Sequence, residues 1–138
     1  VGGVKYLIDT NILLEILLGQ TRAREAKEFL IRAADEGAAI SDFSLYSIGI
    51  CLFRSQQHQA YAQLIEDLFL KGKFNLISIS LVDIKDLINI SIQYHLDFDD
   101  AYQYMLAEHF DLIIVSFDKD FDRTARGRKE PSQILSTA

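Results

Sequence analysis

Tryptophan is absent from this 138-residue chain, and proline, cysteine and methionine occur once each. A single thiol, Cys51, excludes an internal disulfide; its place in the apolar run Ile48 to Phe53 reads as a buried structural thiol. With Pro131 as the only proline and seven glycines in all, there is no Pro/Gly-rich linker at which to divide the chain. Repeats and low-complexity tracts are also missing, so residues 1–138 read as one domain, with Val1-Gly2-Gly3 set aside as an expression scar. The longest apolar stretches, such as Ile12 to Leu14 and Leu112 to Val115, are far too short to cross a bilayer, and no secretory leader is visible. A soluble cytoplasmic protein with no membrane partner is expected.

An excess of positive charge is lacking too. The formal charge of −6 argues against a protein that coats nucleic acid non-specifically, because that role needs a broad basic surface. It does not exclude an enzyme that cuts nucleic acid from a carboxylate pocket with a local basic patch. What is abundant is apolar residues, at 49%, enough to bury a core.

Short apolar runs alternate with helical patterns. Strands are expected at Val4 to Ile8, Ala38 to Ile40, Phe74 to Ile77 and Leu112 to Val115. Helices are expected over Asn11 to Leu18, Thr21 to Ala34, from Ser41 or Asp42 to about Arg54, Gln59 to Leu70, Ser80 to Ile92, and Phe98 to His109. Ser80 with Asp83 suggests a capping box, and Asp97 a cap for the helix after it. The order implies an α/β domain with a mostly parallel sheet covered on both faces, whose ligand crevice lies beyond the carboxyl ends of the strands.

Three acids then stand out. Asp9 follows the first strand directly, Asp118 lies two residues past the strand ending at Ser116, and Asp100 sits in the first turn of the helix from Phe98. If the two strands are parallel neighbours, these carboxylates reach one edge of the sheet. Crowded carboxylates repel, and a divalent cation relieves them; oxygen ligands without a Cys/His set favour Mg²⁺ or Mn²⁺ over zinc. Each acid has a plainer role open to it: Asp9 as a helix N-cap, Asp99 and Asp100 as complements to a helix dipole, Asp118 and Asp120 as parts of a polar turn. His58, His95 and His109 share no spacing with the acids and read as surface residues, while Tyr61, Tyr94, Tyr102 and Tyr104 read as packing. The run Arg123, Arg126, Arg128, Lys129 is either a solvated loop or a grip on an RNA backbone, with Arg22, Arg24, Lys27 and Arg32 as a second stripe.

The stretch Leu7-Ile8-Asp9-Thr10-Asn11-Ile12-Leu13 resembles the opening motif of PIN domains, the fold of VapC-type toxin ribonucleases. Asp100-Ala101, and later Leu112-Ile113-Ile114-Val115-Ser116-Phe117-Asp118-Lys119-Asp120-Phe121, look like that family's closing motifs in the right order. The resemblance spans roughly Lys5 to Leu135 and implies a three-layer α/β/α PIN-like fold. It implies Asp9 as central ligand to Mg²⁺ or Mn²⁺, Asp100 and Asp118 as further catalytic ligands, and Asp120 acting through water. Thr10, Asn11 and Ser116 would support the ligands or touch phosphate; the basic run, with Arg123 and Arg126, would separately hold the substrate beside them. Hydrolysis of RNA to a 5′-phosphate and a 3′-hydroxyl, a homodimer and a small antitoxin partner follow from the same likeness. One departure stands against it. Where PIN domains place a glutamate early in the third helix, Ser41-Asp42-Phe43-Ser44-Leu45-Tyr46-Ser47 puts Ser47, with Asp42 the nearest acid. A non-catalytic PIN-like module that binds RNA or protein is therefore the alternative. An aspartate phosphatase or phosphoacceptor domain fits less well, because Asn11 stands where a second aspartate is wanted.

Overall fold

A computed structural model describes residues 3–137. Val1 and Gly2 of the supposed scar lie outside them. The chain runs β1 (Tyr6–Ile8), α1 (Thr10–Leu17), α2 (Ala23–Glu36), β2 (Ala38–Ser41), α3 (Asp42–Arg54), α4 (His58–Ile65), β3 (Asn75–Ile77), α5 (Leu81–Tyr94), α6 (Phe98–Phe110), β4 (Ile113–Val115) and α7 (Pro131–Leu135). All four strands are parallel, in the order β3-β2-β1-β4.

Successive residues of a strand face opposite sides, and β1 uses both. Tyr6 and Ile8 enter a core with Ile12, Leu13, Ala26, Phe29, Ile48 and Leu52, beneath α1, α2 and α3. Leu7, between them, enters a second core with Leu87, Ala101, Met105 and Leu106, beneath α5 and α6. Every side chain of β1 is buried, as a parallel strand covered on both faces requires. Two cores on two faces make the three layers that the alternating pattern implied.

The junction between α2 and β2 needs a glycine. Gly37 has φ +101°, and a Cβ there would collide with the Gly3 carbonyl oxygen; its own carbonyl accepts from Lys5 N at 2.9 Å and Tyr6 N at 3.2 Å. Ser41 caps α3, its Oγ accepting from Ser44 N at 3.0 Å.

Several expectations are corrected. The long helix after Gln59 is α4 followed by a π turn at Glu66–Leu70. Ser80 forms no capping box, because its hydroxyl donates to the Asp83 carboxylate at 3.0 Å instead of capping backbone, and Asp97 makes no side-chain cap bond. Cys51 is half-buried on a surface depression shared with Leu18, Ser47 and Arg54. Two pieces were missed: a 3₁₀ turn at Lys119–Arg123, and α7, which carries a capping box of Glu130 and Gln133 around an N-terminal Pro131. Among the described residues, no helix is long and apolar enough to cross a membrane.

Candidate metal centre

The pairing of β1 with β4 places Ile8 opposite Val115, so the residues that follow, Asp9 and Ser116, emerge side by side. Asp9 N donates to Val115 O at 3.0 Å and fixes that exit. Beyond the strand ends lies a cleft of about 290 Å³ lined by Asp9, Thr10, Asn11, Leu14, Phe43, Asp99, Asp100, Gln103 and Asp118. The first turn of α6 thus supplies Asp99 and Asp100 to the cleft that β1 and β4 open.

Asp9 is buried, and its carboxylate is held from three sides. Oδ1 accepts from Thr10 N at 2.9 Å and Gln103 Nε2 at 3.0 Å; Oδ2 accepts from Ser116 Oγ at 2.6 Å. Ser116 in turn takes Asp118 N at 2.9 Å and Asn11 Nδ2 at 3.3 Å, and Asn11 Oδ1 receives Phe117 N at 3.3 Å. Asp118 opens the 3₁₀ turn, accepting Asp120 N at 2.8 Å. One carboxylate oxygen each from Asp100, Asp118 and Asp120 lie within 4.8 Å of one another. Asp9 lines the same cleft as Asp100 and Asp118. The plainer roles hold at the same time: Asp9 is the N-cap of α1 and Asp118 that of the 3₁₀ turn.

The trio fits a divalent cation. Its donors are hard carboxylate oxygens, and Mg²⁺ or Mn²⁺ bound at about 2.1 Å draws such oxygens to this order of spacing. The charge is also short of compensation. Burial first, and then the charges of Asp118, Asp99 and Asp9, push the Asp100 carboxyl up to about 8, and burial raises that of Asp9 as well. The folded state then holds the Asp100 proton more tightly than the unfolded chain does. The associated stability is full below the ordinary value of 3.8 and is lost as pH rises towards about 8. Metal-free protein in EDTA should therefore melt several degrees lower at about pH 8 than at about pH 5, and saturating Mn²⁺ should remove the slope. A flat calorimetric profile in EDTA would contradict this account of the cluster.

Other residues singled out in the sequence are distributed unevenly. Thr10 and Asn11 line the cleft, and Thr10 Oγ1 pairs with Ser44 Oγ at 2.8 Å. Arg123 reaches it indirectly, donating to Asp120 Oδ1 at 3.1 Å while its other nitrogens bind the Tyr94 and His95 carbonyls at the end of α5. Arg126 is not brought there: Glu108 at 3.0 Å, Asp111 at 2.7 Å and the Leu112 carbonyl hold it at a separate depression. Ser47 does not line the cleft either; Ser44, one turn earlier on α3, points to it instead. Asp42 offers no substitute acid, since its Oδ1 accepts Phe43 N at 2.8 Å and the Tyr102 hydroxyl at 2.7 Å. Arg22 and Arg32 of the second stripe are also engaged, the first with Glu25 and Glu130, the second with Glu36 and the carbonyls of Ile134 and Thr137. Gln103 and Ser44 escaped the sequence reading; the only signal was a polar residue inside an apolar helical run.

The PIN domain family profile matches residues 6–127. The chain belongs to the PIN domain family. Solved structures share the fold. A toxin–antitoxin complex from Klebsiella pneumoniae is 25% identical, with a TM-score of 0.70 over 92% of this chain and 98% of that one. VapC20 of Mycobacterium tuberculosis, described as a sarcin-ricin loop cleaving toxin, is 16% identical, with a TM-score of 0.73 over 88% and 96%. VapBC2 of Rickettsia felis, solved with a promoter DNA fragment, is 18% identical, with a TM-score of 0.71 over 92% and 98%. Comparison of the sequence with curated proteins finds no match. In this PIN domain the opening and closing motifs are the strand ends that build the cleft.

Proposed function

We propose that this PIN domain is a Mg²⁺- or Mn²⁺-dependent endoribonuclease and the toxin of a toxin–antitoxin pair. The observation that carries the reading is the meeting of Asp100, Asp118 and Asp120 beside Asp9 at the sheet's rim. Held by Asp100, Asp118, Asp120 and Asp9, a divalent ion would supply Lewis acidity toward a phosphodiester and its attacking water. The chain's own part is positioning: Ser116 and Gln103 orient Asp9, and Arg123 orients Asp120. Asp9, Asp100 and Asp118 are proposed as catalytic ligands, Asp120 as a further ligand, and Thr10, Asn11 and Ser116 as their supports. Arg123 is retained through its bond to Asp120. The names of the fold neighbours, a toxin–antitoxin complex and an RNA-loop-cleaving toxin, favour an antitoxin partner and an RNA substrate. Exposed apolar residues on α5, Leu81, Val82, Ile88 and Ile92, favour a homodimer.

The test is cleavage of a structured RNA with Mn²⁺, against the same reaction in EDTA. Activity should fall to background on chelation and return with added Mn²⁺. Equal cleavage in EDTA would overturn metal dependence. A second reading, a module that binds RNA or protein without cutting, draws on α3 supplying Phe43 and no acid to the lining of the cleft. RNA binding without any metal-dependent cleavage would establish it instead.

A further inference from the structure

Helix α6 is buried along an unbroken run from Asp100 to Ala107, and Gln103 sits in the middle of it at 1% exposure. An amide buried this far is costly unless its polar atoms are used. Both of its N–H groups are. Nε2 donates to Asp9 Oδ1 at 3.0 Å and to Ser44 Oγ at 2.9 Å. Its carbonyl Oε1, by contrast, is buried with no hydrogen-bond partner among the described residues. An aliphatic side chain would fill this space with no orphaned acceptor, so core packing does not account for a glutamine. Turning the amide over would not rescue the orphan, because it would set Oε1 against the Asp9 carboxylate. The orientation is fixed by Asp9, and the unpaired oxygen is its consequence.

The bonding of Asp9 shows what this achieves. Each carboxylate oxygen offers about two lone-pair directions. Thr10 N and Gln103 Nε2 occupy both at Oδ1, whereas Ser116 Oγ takes only one at Oδ2. Without the glutamine, Oδ1 regains a vacant direction and the carboxylate loses the side-chain hydrogen bond that holds it on that side. Ser44 steadies the amide from behind: its Oγ also pairs with Thr10 Oγ1 at 2.8 Å and Ser41 Oγ at 3.1 Å, linking α3 to α1 and α6.

We propose that Gln103 is a positioning residue of this centre, holding Asp9 so that it meets a divalent cation through Oδ2 alone. The inference rests on the metal-dependent reading above and assigns to a neutral α6 side chain, braced by α3, the task of aiming the first carboxylate. Partners that orient a metal ligand typically change metal affinity about 10- to 100-fold when removed.

The experiment is calorimetric titration of the intact chain with Mn²⁺, with thermal melts in EDTA and in Mn²⁺. Gln103→Met, similar in length and lacking the donor, should weaken Mn²⁺ binding by about 10- to 100-fold and shrink the rise in Tm that Mn²⁺ produces. Ser44→Ala, which leaves the amide in place but removes its brace, should give a smaller loss in the same direction, and serves if the first variant does not fold. A purely structural glutamine predicts something else: Tm lowered equally with and without Mn²⁺, and an unchanged titration. That result overturns the inference while leaving the metal centre standing. A wild-type chain that takes up no Mn²⁺ overturns the metal reading, and this inference falls with it.

Discussion

Asp100→Asn should cut Mn²⁺-dependent RNA cleavage by about a thousandfold, ~4 kcal/mol of transition-state stabilisation, while making the metal-free protein more stable. The two effects have one cause. Asp100 is 6% exposed and faces Asp118, Asp99 and Asp9, so its ionised form is disfavoured until a cation arrives. Asparagine keeps the shape and removes the charge. The repulsion is relieved in the empty cleft, and a ligand is lost from the loaded one. Cleavage rates at saturating Mn²⁺ and melts in EDTA at about pH 8 measure the pair of effects. Undiminished cleavage with a lowered melting point would show the carboxylate to be a helix-terminus residue and nothing more.

The second large effect is expected far from any chemistry. Arg128→Ala should lower stability by about 2 kcal/mol, the loss of charge-assisted hydrogen bonds from a well-covered guanidinium to half-buried and exposed carboxylates. The Arg128 side chain is only 9% exposed; its guanidinium grips Asp122 at 3.1 and 3.2 Å, Glu130 at 2.7 Å and the Ser116 carbonyl at 3.1 Å. Glu130 is shared with Arg22, whose guanidinium lies 4.1 Å from the Phe117 ring, and the two arginines hold the Glu130 carboxyl down to about 2. Removing Arg128 strips this clasp from the segment that carries Ser116 and Asp118. Chemical denaturation reads the loss directly. Were Arg128 instead a grip on RNA, the variant would keep its stability and lose salt-dependent affinity alone.

These outcomes bear on how far a sequence can be read. Asp9 and Asp118 were legible because they follow short apolar strands, and parallel pairing brings strand ends to one edge whatever the details between. Asp9 and Ser116 needed only the adjacency of β1 and β4 to meet. The basic run was illegible for the opposite reason. Some of its partners, Glu108, Asp111 and Tyr94, lie on or just after α5 and α6, well before it in the chain, and nothing local shows that Arg126 is already paired. Gln103 was missed because helical spacing reports which face is apolar, not that one amide on a buried face has an acid to answer. Ser47 drew attention through alignment with a motif, yet Ser44 has the geometry. The last helix was signalled by Glu130-Pro131 and Gln133, a cap pattern too short to stand out without the clasp that anchors it.

The alternation of β1 between two cores carries a consequence for how this molecule tolerates change. Tyr6 and Ile8 belong to one layer, Leu7 to the other, and Asp9 follows at once. Slipping this segment by a single position would exchange the layers and move the carboxylate off its mark in the same stroke. Insertions or deletions between Tyr6 and Asp9 should accordingly be silent in neither respect, and at Gly19, although an added Cβ would meet nothing within 4 Å, the φ of +60° still favours glycine. Three residues serve as the gauge from which both the packing and the chemistry are measured.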